Sequence, residues 1–225
     1  MHARLCASFL LVTLAQVALA SLRQLWVPDA AAIEAAAQGF SLAPTPEQTE
    51  GPYYPVADDW HNNDLTYIQG QPYKTAGPYL HIDSRLLYPD GSPVSGAVVQ
   101  IWQCDSNGVY NHPAYQAAYP DKVLNPYFQY FGEAETDENG AFYFLTVPPI
   151  SYAGRPVHVH VRVFVQGATM LTTQMYFPGD ALLSADPFYL AAPDDQKDQL
   201  LVTPGATDAE DVHVSQVLVI NFSSV

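Results

Sequence analysis

The sequence has little positive charge. Its 225 residues include 8 Lys and Arg against 23 Asp and Glu, which gives a formal net charge of −15. Nucleic acids and anionic membranes are bound through basic patches, so this composition argues against both as partners. The plainer explanation of the acidic balance is solubility.

Cysteine is equally scarce, with Cys6 and Cys104 as its two examples. Residues 1–20 have the pattern of a secretory signal peptide, in which Arg4 precedes an apolar stretch and small residues lead up to Ala20. Cleavage after Ala20 would remove Cys6, so we expect a secreted protein without an internal disulfide. No later stretch is long and apolar enough to span a bilayer.

The chain that follows the signal peptide is long enough for one domain with a hydrophobic core. Residues 29–38 predict a short helix that lies within an N-terminal helix and linker at residues 21–45. We expect a single domain at residues 46–225. Asn221 begins a glycosylation sequon, and its position in a predicted strand argues against its use.

From residue 80 onward, the pattern is typical of short strands separated by turn residues. Strands are predicted at residues 80–85, 97–104, 141–145, 158–165, 170–177 and 212–222. Residues 111–135 are rich in Tyr, Pro and Ala, and we expect a long, ordered, irregular stretch there. Many strands and little helix predict an all-β fold with a β-sandwich core and long irregular loops, with a barrel as the alternative.

One short segment contains several side chains that can bind a metal or take part in catalysis. They are Tyr152, Arg155, His158 and His160. Side chains two positions apart on a strand share a face, so both imidazoles are expected to point to the same side. Two His so placed can take adjacent positions on one metal ion. Two polar residues on a solvated face explain a bare His-x-His equally well.

Other ordered motifs join this segment. They are Gly51-Pro52-Tyr53-Tyr54, Ile101-Trp102-Gln103-x-Asp105-x-x-Gly108-x-Tyr110, Thr136-Asp137-x-x-Gly140-x-Phe142-x-Phe144, Tyr152-x-Gly154-Arg155-x-x-His158-x-His160 and Thr173-Gln174-x-Tyr176-Phe177. Taken together over residues 46–180, they resemble the intradiol ring-cleavage dioxygenases, and the short secreted members in particular. These are non-haem Fe(III) enzymes that open catechol rings between the two hydroxyls.

The resemblance implies that Tyr110, Tyr152, His158 and His160 are ligands of Fe(III). Phenolates are hard oxygen donors, and a phenol ionises at neutral pH only when a strong cation holds it. Two phenolates with one hydroxide would neutralise Fe(III), and two neutral imidazoles would complete a five-coordinate site with room for substrate. Zn²⁺ would suit His and thiolate better, and Cys104 is not placed to help.

The resemblance also implies roles for residues around the metal. Arg155 matches the arginine that stabilises negative charge on the ring, and Gln174 matches a position near the O₂ and substrate pocket. A satisfied core amide is the alternative for Gln174. Gly51, Pro52 and Tyr53 resemble the segment that edges the substrate site. The implied reaction takes a catechol and O₂ to a cis,cis-muconate-type diacid.

The chain departs from the family pattern at several points. It has Pro149-Ile150 where Pro-Gly is usual, and a turn with positive φ would resist Ile. Phe131 stands where a basic residue is common. The connection from Tyr152 to His158 is short, so we expect a more open pocket, and the identity of the phenolic substrate stays undetermined. The helical dimerisation region of intracellular relatives is missing, which favours a monomer or a weak oligomer.

Two alternatives to an enzyme remain. Residues 91–97 and 136–142 also resemble prealbumin-like sandwich modules that only bind or adhere. Such a module does not account for Arg155 or for two Tyr and two His in ligand register. A relative that binds iron and phenolics without turnover is the second alternative. The combined motifs favour the enzyme.

Overall fold

The computed structural model describes residues 42–56, 62–205 and 211–222. The predicted signal peptide at residues 1–20 and the helix predicted at residues 29–38 lie outside these ranges, so both stay predictions. No helix within the described ranges is long and apolar enough to cross a membrane.

Strands dominate the described residues and form two four-stranded sheets. The strands are β1 (Leu80–Leu87), β2 (Val98–Trp102), β3 (Phe131–Glu135), β4 (Ala141–Thr146), β5 (His158–Val165), β6 (Ala168–Tyr176), β7 (Thr203–Pro204) and β8 (Val212–Val219). The first sheet has the order β4-β1-β8-β7 and the second has the order β3-β2-β5-β6. The predicted β-sandwich is therefore confirmed.

The core lies between the two sheets because side chains alternate along each strand. In β1, Leu80 and Ile82 are buried, whereas the intervening His81 is partly exposed. In β5, Val159 and Val161 belong to the same core cluster as these β1 residues. Burial of such aliphatic side chains stabilises a domain by about 1.5–3 kcal/mol each, which suits a chain that has no disulfide in its described part.

The stretch predicted to be irregular at residues 111–135 was only partly so. It contains a short helix, α1 (Pro113–Ala118), and ends in the strand β3. The sequence of β3 has no alternation of apolar residues, and its extended form is fixed by antiparallel pairing with β2. The local sequence pattern does not indicate β3. The prediction of an irregular stretch was therefore wrong at α1 and at β3.

The final strand is also shorter than predicted, since it ends at Val219. Asn221 is exposed and lies beyond the strand, so the prediction that placed it in a strand was wrong. The remaining helices are short. They are a 3-10 helix at Ala181–Ala185, an α-helix, α2, at Pro187–Ala191, and a 3-10 helix at Lys197–Leu200.

Residues 42–56 form an extended arm that is hydrogen-bonded to both sheets. Thr45 exchanges hydrogen bonds with Val219 of β8, whose N–H donates to the Thr45 hydroxyl at 2.9 Å. Gln48 N–H donates to the carbonyl of Thr172 on β6 at 2.8 Å. The arm thereby satisfies backbone groups on β6, an edge strand of the second sheet.

The turn that leads into β4 requires glycine. Gly140 has φ +71, and a Cβ at this position would lie 2.3 Å from the carbonyl oxygen of Leu86. The preceding Asp137 accepts the N–H groups of Asn139 and Ala141, both at 2.8 Å. This side chain closes the turn and fixes the start of the strand.

The clash at Gly140 can be separated from backbone strain with a matched glycine. Gly167 has φ +80, but nothing lies within 4 Å of its missing Cβ. We expect Gly167→Ala to lower the free energy of unfolding by about 1 kcal/mol, from strain alone. Gly140→Ala should lower it by about 3 kcal/mol, because backbone must also move. Denaturant unfolding would measure both values, and equal losses would contradict this explanation.

Candidate metal centre

The strand β5 presents its polar side chains on the face opposite to the core. His158 and His160 both lie on this outer face and both are 2% exposed. The antiparallel register places Tyr176 of β6 opposite His158, and places Gln174 of β6 and Trp102 of β2 on either side of His160. The two imidazoles therefore share one face of β5, as the sequence predicts.

A turn closed by Asp105 delivers Tyr110 to the same face. The carboxylate Oδ1 of Asp105 accepts the N–H of Asn107 at 2.8 Å and of Val109 at 3.0 Å. Its Oδ2 accepts the hydroxyl of Tyr130 at 2.9 Å. Asp105 is fully buried, so these bonds hold the turn rigidly and fix the direction in which the chain reaches Tyr110.

The second tyrosine, Tyr152, lies on an irregular loop. The left-handed backbone of this loop falls at Ala153, with φ +48, and at Gly154, with φ +78. Ile150 does not have a positive φ, so the chain accommodates Ile in place of the usual Gly by placing the turn three residues later. The carboxylate of Asp180 anchors the end of the loop by accepting the N–H of Val157 at 2.8 Å.

These elements bring the four predicted ligands together. The ring centroids of Tyr110 and Tyr152 are 5.1 Å apart, and those of Tyr152 and His158 are 5.7 Å apart. His158 and His160 are separated by 4.9 Å, and Tyr110 and His160 by 6.3 Å. Residues separated by up to 50 positions in the sequence thus form one cluster of two phenols and two imidazoles.

Polar atoms of this cluster are buried without hydrogen-bond partners. They include Oη of Tyr110, Nε2 of His158 and Nδ1 of His160. His158 Nδ1 lies 2.7 Å from the carbonyl oxygen of Pro156, which can only accept, so Nδ1 carries the proton and Nε2 keeps its lone pair. Buried polar atoms without partners are costly, and a bound ion would satisfy them.

Electrostatics favour the neutral form of each group while no cation is bound. Burial raises the pKa of Tyr110 well above its ordinary value, and the neighbouring Tyr152 adds to the shift. Burial also raises the pKa of Tyr152 to about 12. Burial, followed by the charge of Arg155, lowers the pKa of His158 to about 4, and burial lowers the pKa of His160 well below its usual value. Both imidazoles are therefore neutral at pH 7, and each can donate a lone pair to a metal ion.

This donor set fits a hard, highly charged cation. Within the described ranges, no three His, Cys, Asp or Glu side chains could together hold a metal ion. A metal in the cluster would therefore depend on the phenols of Tyr110 and Tyr152 as well as on the imidazoles. A strong cation would lower the pKa of both phenols and ionise them, whereas a weak cation would leave them protonated.

Arg155 lies next to the cluster, since its backbone pairs with that of Tyr152 in an isolated bridge. Its Nη2 donates to Oε1 of Gln174 at 2.9 Å and to the hydroxyl of Tyr176 at 3.2 Å. Gln174 Nε2 donates to the carbonyl of Thr49 at 3.1 Å, so both ends of this buried amide are hydrogen-bonded. Gln174 is thus a satisfied amide that also contacts Arg155, and the two interpretations offered from sequence are compatible.

The arm forms one wall of the site. Gly51 approaches His160 so closely that a Cβ would lie 3.2 Å from Cε1 of the imidazole. The ring of Tyr53 lies 5.0 Å from that of Tyr110 and 5.3 Å from that of Tyr115 on α1. Pro52, which lies between Gly51 and Tyr53, is exposed. Gly51 and Tyr53 therefore adjoin the cluster.

Sequence reasoning missed two contributors. The indole of Trp102 stacks on the His160 imidazole with centroids 4.9 Å apart and planes 8° apart. The carboxylate of Asp186 forms an ion pair with Arg155. Trp102 belongs to one of the family-like motifs, and its register beside His160 could have been inferred from strand pairing. Asp186 is the N-cap of α2, and nothing in the local sequence connected it with Arg155.

The fold and the cluster define an all-β protein with a mixed phenol and imidazole centre on the outer face of one sheet. A family model described as Dioxygenase (Dioxygenase_C) matches residues 49–222. The chain belongs to the intradiol ring-cleavage dioxygenase family.

Named relatives agree with this assignment. The chain is 33% identical over 184 residues to a protocatechuate 3,4-dioxygenase beta chain from Burkholderia cepacia, covering 76% of this chain and 77% of that protein. It is 34% identical over 160 residues to catechol 1,2-dioxygenase 1 from Acinetobacter lwoffii, covering 63% of this chain and 49% of that protein. The chain thus spans about half the length of this catechol dioxygenase.

A solved structure with the same fold is the dioxygenase domain of a dioxygenase carbohydrate-binding protein fusion from Streptomyces sp. SirexAA-E. It has a TM-score of 0.61 and 26% sequence identity, and the match covers 80% of this chain and 99% of that chain. An intradiol ring-cleavage dioxygenase from Tetranychus urticae, with 22% identity and a TM-score of 0.59, supports the fold.

The buried turn at Asp105 generates a prediction with a matched control. Asp105→Ala would leave two backbone N–H groups and the Tyr130 hydroxyl without an acceptor, so we expect the free energy of unfolding to fall by about 3 kcal/mol. Asp137→Ala removes the same pair of turn bonds at an exposed site, where water can replace them, and should cost about 1 kcal/mol. Denaturant unfolding would compare them, and a smaller loss for Asp105→Ala would contradict the prediction.

Proposed function

We propose that this chain is a non-haem Fe(III) intradiol dioxygenase, which cleaves a catechol-type ring with O₂ to a cis,cis-muconate-type diacid. The observation that carries the proposal is the convergence of Tyr110, Tyr152, His158 and His160 around buried polar atoms that have no partner. Membership of the intradiol family supports the reaction class.

Fe(III) suits the donor set by charge. Two phenolates offset two of its three positive charges, and the neutral imidazoles of His158 and His160 add no further charge. Bound iron would act as a Lewis acid that activates a chelated catecholate for reaction with O₂. The contact between His158 Nδ1 and a backbone carbonyl orients its Nε2, as is common for metal-bound imidazoles.

The two tyrosines differ in burial and in location, and we propose different roles for them. Tyr110 is 2% exposed, whereas Tyr152 is only partly buried and lies on a loop. In our proposal, Tyr110 and Tyr152 would both hold the metal, and the Oη of Tyr152 would be the group that accepts a proton from a catechol hydroxyl. Burial raises the pKa of Tyr152 to about 12, so its phenolate would be a strong base.

Arg155 has a role that follows from its charge. Burial is the main reason that the pKa of His158 and His160 is lowered, and the positive charge of Arg155 lowers both further. A guanidinium fixed at that position would stabilise negative charge that develops on the bound ring, without reorganising during the reaction. Tyr53 would restrict the ring from the side of the arm.

The substrate class is a catechol-type phenol. The relatives named above act on protocatechuate and catechol, and this chain is at most 34% identical to them, so we do not assign either compound. The connection from Tyr152 to His158 is short, and we propose that the pocket is more open than in relatives with a longer connection. We also propose that the protein is a monomer or a weak oligomer.

The test uses the visible absorption spectrum of the purified protein, with iron analysis, before and after catechol is added without air. Tyrosinate bound to Fe(III) gives a broad charge-transfer band, and we expect this band to move to longer wavelength with catechol and to bleach when air is admitted. A band that shifts without turnover would favour an inactive binder. A protein that stays colourless after iron loading would overturn the ligand assignment and favour the non-catalytic sandwich module.

Single tyrosine variants sharpen this test. We expect Tyr152→Phe to retain most of the iron, because three buried ligands remain, and to lower kcat by about 100-fold through loss of the proton acceptor. Tyr110→Phe should lose most of the bound iron. Tyr143→Phe removes a phenol from β4 of the other sheet and should leave the band and kcat within about twofold of wild type. Identical effects of all three variants would contradict the separate roles of Tyr110 and Tyr152.

We also propose that the protein is secreted after cleavage of residues 1–20, on the basis of the sequence pattern alone. Mass spectrometry of protein collected from the medium of a secreting host should then find an N-terminus at Ser21. Retention of the full chain inside the cells, with Met1 present, would contradict this proposal.

A further inference from the structure

A fully buried carboxylate lies behind Arg155. Asp186 is the N-cap of α2, and its side chain is 0% exposed. Its Oδ1 accepts the N–H groups of Phe188 at 3.0 Å and Tyr189 at 2.8 Å. Its Oδ2 accepts Nε of Arg155 at 2.5 Å. The carboxylate therefore joins the start of α2 directly to the guanidinium.

The guanidinium of Arg155 is hydrogen-bonded along its Nε and Nη2 edge, and the ring of Phe188 packs against one of its faces. Its Nη2 donates to Oε1 of Gln174 at 2.9 Å and to the Tyr176 hydroxyl at 3.2 Å, and it lies 3.5 Å from Oδ1 of Asp186. The ring centroid of Phe188 lies 4.5 Å from Cζ of Arg155. Within the described part of the chain, nothing hydrogen-bonds to Nη1, which leaves this nitrogen available to a ligand.

A side-on pairing of Nε and Nη2 with one carboxylate sets the plane of a guanidinium more firmly than a neutral acceptor can. Gln174 and Tyr176 are neutral, so the negative charge that opposes Arg155 comes from Asp186. The carboxylate in turn depends on Arg155, since a buried carboxylate without a counter-charge is strongly disfavoured. Arg155 nevertheless lies beside the cluster, because Gln174, to which its Nη2 donates, is paired with His160 across β5 and β6.

We propose that Asp186 is a positioning residue for the ring-cleavage reaction. Its carboxylate fixes the guanidinium of Arg155 by the Nε and Nη2 edge, so that Nη1 is presented to the anionic substrate ring. This inference rests on the proposed function and goes beyond it, because Asp186 is a positioning residue that lies outside the set of four ligands and acts through Arg155.

The first variant is Asp186→Asn, which keeps the volume and an oxygen for the N–H groups of α2 but removes the charge that holds Arg155. We expect kcat to fall by about 10–100-fold, with KM changed by less than about threefold. Iron content and the absorption band should match wild type, because no ligand is touched. A kcat within about twofold of wild type, or a loss of iron in step with the loss of kcat, would overturn the inference.

A double-mutant cycle separates positioning from folding. In an Arg155→Met background, Asp186→Asn should change kcat by less than about twofold, because the residue through which Asp186 acts is gone. In the double variant neither member of the Arg155–Asp186 pair is left as a buried charge without its partner, so the protein is expected to fold even if Asp186→Asn alone does not. An equal loss of kcat from Asp186→Asn in both backgrounds would overturn the inference.

A second readout does not depend on activity. In protein loaded with diamagnetic Ga(III), the Nε–H resonance of Arg155 should be shifted downfield in the ¹H–¹⁵N NMR spectrum by its bond to a carboxylate, and Asp186→Asn should remove that shift. An unchanged resonance would overturn the inference. Wild-type protein without turnover would instead refute the proposed function, and Asp186 would then have no reaction to serve, so the two failures are distinguishable.

Discussion

The two-residue period of β5 is the constraint on which the rest of the structure depends. Val159 and Val161 face the core, while His158 and His160 face outward to the candidate metal centre. A slip of one residue in the pairing with β2 would exchange these two sets, burying the imidazoles between the sheets and exposing the valines. The packing of the valines that stabilises the sandwich therefore also places both imidazoles on the outer face of β5.

The fold was predictable where the signal is local. Alternation in β1 and the β-branched run in β5 gave strands whose bounds the structure matches closely. The strand β3 was not predictable in this way, because Phe131–Glu135 includes a glycine, an alanine and two glutamates and becomes extended only through pairing with β2. The short helices α1 and α2 are similarly fixed by caps and packing more than by any long amphipathic pattern.

The candidate centre was predictable as a set of residues but not as a set of contacts. Ordered motifs named Tyr110, Tyr152 and Arg155 by their resemblance to a family, and the structure places these residues together. The ion pair between Arg155 and Asp186 spans 31 positions and two loops, so no periodicity or turn signal connects the two side chains. Such charge pairs depend on how loops pack over a finished sheet, which a single sequence does not specify.

The arm at residues 42–56 also affects how this scaffold could change during evolution. Thr45 and Gln48 anchor it to β8 and β6, and only a few residues later Gly51 and Tyr53 form a wall of the candidate centre. Insertions in this short span would disturb both sheets together with the wall, so it is poorly suited to variation. The part of the β2–β3 connection that follows Tyr110, which carries α1 and Tyr115, can change length with less disturbance to the sheets. Diversification of substrate range in related chains should therefore be concentrated in that connection.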